Sequence, residues 1–132
     1  VQNLEYDAHS RHWLMAAYKG TKSDFPNMSL FVVAGDRAPR RGPLRGQPEP
    51  EQGRLLHLVP QGVHHEASGT YGWESPGQFG LVALDDGRFY VGDAAEVRAG
   101  GATRQSGKAV LHRWTGDAPT PFAAVTPGDP KA

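Results

Sequence analysis

The chain has 132 residues, with 14 basic and 14 acidic side chains, and therefore no formal net charge. Neutrality removes the long-range pull that nucleic acid or anionic lipid exerts on a basic protein. The absence of cysteine excludes disulfides, thiolate zinc sites and a cysteine nucleophile. Gly (17) and Pro (11) exceed a fifth of the residues, which interrupts helices and favours short strands joined by turns. No run of about 18 apolar residues is present to span a bilayer. The length suits one domain, and the start at Val1 suggests a processed form or a piece of a longer protein.

In chain order, Leu4 and Tyr6 alternate with polar neighbours, residues 7–11 carry turn chemistry, and residues 12–18 return. This predicts a first hairpin. Residues 19–27 are loop by composition, 29–34 a strand bounded by Gly35-Asp36, and 35–53 a long connection rich in Pro, Gly and Arg. Residues 55–59 read as a fourth strand stopped by Pro60, and 61–78 as a second irregular region. Residues 79–92 give the clearest hairpin. An apolar run meets Asp85-Asp86-Gly87, whose Asp-Gly suits a type I′ turn, and Phe89-Tyr90-Val91 returns. Residues 93–107 read as a polar, Gly-rich excursion, 109–114 and 122–125 as the last strands, and 127–132 as a frayed tail.

The halves show a weak internal repeat. Tyr6-Asp7, a turn and Arg11-His12-Trp13-Leu14 correspond to residues 84–91, residues 30–36 to 110–117, and 55–60 to 122–127. Each half spells four short strands, the pattern of a four-stranded propeller blade. The expected architecture is a single all-β, antiparallel domain of two blade-like units (1–60 and 79–126) joined by a loop (61–78). A β-sandwich or small barrel is the alternative.

Through the Tyr-Asp-turn-aromatic element at Tyr6 to Trp13, the chain resembles secreted bacterial β-propeller proteins. The Gly-His and Trp-Asp dipeptides of one propeller class are absent and the Asp-box pattern is not met, so the resemblance implies a fold class and transfers no catalytic residue. A secreted or periplasmic location is the matching expectation. Two blades do not close a ring, since closure takes at least about four. The fold reading therefore implies self-association or a protein partner that completes the propeller.

Candidate chemistry is sparse. His64-His65-Glu66 is the densest group of metal-capable side chains, but strand neighbours face opposite ways and the helical His-Glu-x-x-His spacing is missing. No metal or cofactor is assigned. Most aspartates sit in turns, where the carboxylate makes Asx-type hydrogen bonds. No nucleophile elbow, phosphate loop or dinucleotide fingerprint occurs, and no catalytic residue is assigned. Arg37, Arg40, Arg41, Arg45 and Arg54 cluster around the long Gly/Pro connection, where guanidiniums suit a phosphate, a carboxylated sugar or an acidic partner. Trp13 and Trp114 occupy comparable strand positions and are assigned to packing. Trp73 has no repeat counterpart and is assigned, with Tyr71, Glu74, Gln78 and Arg113, to a ligand site where aromatic rings stack on a sugar. The expected function is a non-enzymatic binding module for carbohydrate or a protein partner. The alternative is a structural portion or subunit of a larger, enzymatic or non-enzymatic, propeller assembly.

Overall fold

A computed structural model describes residues 2–126 and 128. The expected tail, 127–132, lies almost wholly outside these residues. Among the described residues every regular element is a strand, every pairing is antiparallel, and the sheets close neither a barrel nor a ring.

The first sheet is a meander of β1 (Asn3–Asp7), β2 (His12–Ala16) and β3 (Leu30–Val33) in that order. Strand alternation decides which residues it buries: Leu14, Ala16, Leu30 and Val32 point inward, while Trp13 and Met15 take the opposite face. The far edge of β3 is covered rather than left open, as an unpaired edge invites aggregation. Leu58 bridges Val33 and Trp73 bridges Leu30 along that edge. Ser29 and Ser75, both buried, fix the second contact: Ser29 Oγ donates to Ser75 O (2.8 Å) and accepts from Ser75 N (3.0 Å).

Two separate hairpins follow, β4 (Arg40–Pro43) with β5 (Gln52–Leu55), and β6 (Val63–His65) with β7 (Thr70–Gly72). The connection 35–53 and the region 61–78 are thus partly ordered as strands, contrary to their loop-like composition. The strand expected over 55–59 is displaced. Pairing of β5 ends at Leu55, while residues 57–59 lie along β3, with Ala34 N donating to His57 O and Val59 N to Val32 O, both at 2.8 Å, on either side of the Leu58↔Val33 bridge.

The second sheet is a four-stranded meander in spatial order β11-β10-β9-β8, from β8 (Leu81–Ala83), β9 (Arg88–Ala99), β10 (Ala102–Trp114) and β11 (Phe122–Ala124). The turn between β8 and β9 is one residue longer than a type I′ turn, with positive φ at Asp85 and Gly87. The excursion expected over 93–107 is instead a continuous β-ribbon, paired from Asp93↔Lys108 out to Ala99↔Ala102. Gly100 and Gly101 both take positive φ, as a two-residue I′ turn requires. Beyond the sheet nearly all of the ribbon's residues are exposed.

The two sheets pack on one core. Leu14, Ala16, Leu30 and Val32 from the first meet Leu81, Phe89, Val91 and Phe122 from the second, with Trp73 between them. Edge-to-face contacts link Trp73, Trp114, Phe122 and Phe89, with centroids 5.1 to 6.4 Å apart. Such pairs add about 0.5–1.5 kcal/mol each beyond area burial. At the seam between β1 and β8 side chains replace a backbone ladder: Ala83 N donates to Glu5 Oε1 (2.8 Å), and Ala8 N to Asp85 Oδ1 (3.1 Å). Asp7, 1 % exposed, accepts from His9 N and Ser10 N, both at 3.1 Å. The turn-making role read for Asp7 and its kind is therefore visible in the geometry.

Candidate functional site

The residues expected to bind a ligand do not converge. Trp73 is 1 % exposed, crossed edge-on by Trp114, and its Nε1 donates to Asp117 O at 2.8 Å. Gly62 lies against the same indole; a Cβ there would come within 2.5 Å of Trp73 Cε2. With its faces packed and its N–H used, Trp73 offers no stacking platform. The reason is tertiary: its strand closes the edge of β3, which no local pattern announces.

Tyr71 lies parallel on His64, 4.2 Å between centroids and 10° between planes. Glu74 is exposed and paired with Lys19 (2.7 Å). Gln78 has its Oε1 buried without a hydrogen-bond partner, and its carbonyl accepts from Asn3 Nδ2 at 2.9 Å. Arg113 sits in β10 opposite Arg88, on the face away from its neighbour Trp114. His65 bonds Ser68 Oγ (2.7 Å) and meets Phe25 edge-on, while His64 belongs to Tyr71 and Glu66 lies exposed in the following turn. Among the described residues no three His, Asp or Glu side chains gather as a metal site would need.

Trp13 takes no part in the core. It is 39 % exposed on the outer face of the first sheet, with its ring 5.0 Å from Tyr6 and tilted by 52°. The pairs Leu4↔Met15, Tyr6↔Trp13 and Trp13↔Val33 give this face an apolar stripe across three strands. A cleft of about 350 Å³ lies on it, lined by Leu4, Trp13, Met15, Val33 and Leu56, with Arg37 and Pro39 among its remaining residues. The second sheet has an outer face of the same kind, where Val82, Tyr90 and Leu111 stand side by side across β8, β9 and β10. Val82 and Tyr90 are exposed. Both outer faces therefore carry large apolar side chains, beside Arg88 and Arg113 on the second sheet, where a single sheet-on-sheet pair would turn mainly polar residues outward.

The arginines form a second feature. In the β4–β5 hairpin Arg41 stands directly across from Arg54, a like-charge pairing that disfavours the sheet unless an anion screens it. Among the described residues none of the five guanidiniums is within ion-pair distance of a carboxylate. Arg40 and Arg45 contribute to a cleft of about 520 Å³ that also takes in His57, Ser68, Thr70 and Tyr71. That combination suits an oxyanion. In the acidic turn Arg88 grips Asp86 through Nε (2.8 Å) and Nη2 (2.6 Å), and this hydrogen bonding holds the Asp86 carboxyl below the usual carboxylate range.

No protein-family model matches this sequence, and neither a curated protein nor a solved structure matches it.

Proposed function

We propose that the chain is a non-enzymatic interaction module, a propeller-like unit of one three-stranded and one four-stranded sheet that associates through its outer faces. One observation carries this reading: the outer stripe Leu4-Tyr6-Trp13-Met15 is as apolar as the inner face that is covered. Uncovered apolar surface is unfavourable by about 25 cal/mol per Å², and contiguous patches of this kind mark contact sites. The accessible surface supports it: 8920 Å² exceeds the roughly 6,800 Å² that size scaling gives a compact monomer of 14.2 kDa. The projecting ribbon accounts for part of that excess. Hydroxyl-radical footprinting across concentration tests the reading. Trp13, Tyr6 and Tyr90, all exposed in the single chain, become protected as concentration rises. Equal reactivity at every concentration would contradict it.

A second reading keeps carbohydrate as the ligand but moves it to the Arg40–Arg45 cleft, because Tyr71 shares that cleft with two guanidiniums and two hydroxyls. The ligand is then an acidic saccharide, with a guanidinium on its carboxylate. Calorimetry with a uronate oligosaccharide and its neutral counterpart decides: only the acidic one binds, and Arg40→Ala weakens it. Equal binding of both sugars, or of neither, removes this reading.

A further inference from the structure

We propose that copies of this chain associate head to tail, the outer face of the first sheet of one copy packing on the outer face of the second sheet of the next. This rests on the self-association just proposed and adds its geometry. Hairpin register fixes which face each residue takes. Counting outward from the β1–β2 turn, the closing pair is Asp7↔His12, then Tyr6↔Trp13, Glu5↔Leu14 and Leu4↔Met15. Counting outward from the β8–β9 turn, Leu84 bonds Arg88, then come Ala83↔Phe89, Val82↔Tyr90 and Leu81↔Val91.

Trp13 therefore falls on Phe89, not on Tyr90 as the sequence repeat aligned it. That one-residue slip exchanges the two faces. The outward set of the first sheet (Leu4, Tyr6, Trp13, Met15) corresponds to the inward set of the second (Leu81, Ala83, Phe89, Val91). Conversely, the inward pair Leu14↔Val32 corresponds to the outward pair Tyr90↔Leu111.

Two sheets facing each other across a sandwich two-fold would turn equivalent positions toward each other. Here equivalent positions point the same way round, as in units related by rotation about a common axis. The buried interface inside the chain then serves as the template for the interface between chains. Its two halves are both present on every copy, one on each outer face, and neither is covered by another strand among the described residues. The contact is heterologous, and it ends in a ring if the rotation closes. At two sheets per copy, rings of about four to eight blades take two to four chains.

Blocking one face at a time separates this arrangement from a face-to-face dimer. Trp13→Glu places a charge on one outer face and Tyr90→Glu on the other, both at exposed positions. Circular dichroism checks that each variant keeps its fold, and Met15→Lys and Val82→Lys replace either one that does not. Head-to-tail packing predicts that each variant alone is monomeric by light scattering, with association weakened at least ~30-fold, the loss expected of a hot-spot side chain. Mixed together they restore a complex of one chain each, because each supplies the face the other lacks. If one variant still dimerises alone and mixing restores nothing, the contact is isologous and head-to-tail packing is wrong, although self-association stands. If the wild-type chain is monomeric throughout, self-association itself fails.

Discussion

Between the sheets, Leu14, Leu30, Phe89 and Val91 are each no more than 2 % exposed, while Leu4 and Val82 on the outer faces show 54 % and 52 %. The side chains are of the same kind, and cross-strand pairing places them on both sides of each sheet. The difference lies in what covers them, not in what they are. Apolar side chains on both faces suit a neighbour on each side, and among the described residues each sheet packs on one.

The two tryptophans in these environments sharpen that comparison most. Trp73→Ala empties the centre of the core and removes the indole bond to Asp117 O, so urea unfolding of the dissociated chain should show a loss of about 3–5 kcal/mol. Trp13→Ala should cost the dissociated chain under about 1 kcal/mol and show its effect in association instead. A comparable loss of stability for both would mean that the outer face is part of the fold rather than a contact surface.

Residues outside both faces should matter less. Replacing 95–106 of the ribbon with Asn-Gly keeps the pair Ala94↔Gly107 and a two-residue turn between them. Since most of the removed residues are exposed and an isolated two-strand ribbon is marginal in water, the melting temperature should change little. A large drop would show that the ribbon supports the core.

The smallest effect concerns pH. The Asp86 carboxyl is held below its unfolded value by Arg88, so its stabilising contribution is present above the unfolded carboxylate range. It is lost as pH falls through the lowered folded value. Asp86→Asn should flatten the acid limb of the stability profile slightly, because the pair lies at the surface. An unchanged acid limb would mean that the Asp86–Arg88 pair contributes nothing in solution.

Much of the strand content was legible because it is encoded locally. The stretch 79–92 pairs an apolar run with an Asp-Gly turn, and 29–34 is a β-branched and aromatic run bounded by Gly-Asp. The ribbon was missed because its strands are Ala-, Gly- and Arg-rich and weak in β propensity. Its signal was the Gly100-Gly101 dipeptide, a two-residue hairpin turn in its own right. The candidate site was illegible for a different reason. Whether a tryptophan is buried depends on which segments arrive over it, and Trp73 is covered by Gly62, Trp114 and the Asp117 carbonyl from distant parts of the chain. The exchange of faces between the halves turned on a single residue of register, which only the observed pairing resolves.

Sedimentation equilibrium of the wild-type chain over a wide concentration range tests the central claim most directly. The account predicts a limiting mass of two or more chains, reached reversibly and insensitive to salt because the contact is apolar. A stable, folded monomer at every concentration would contradict it.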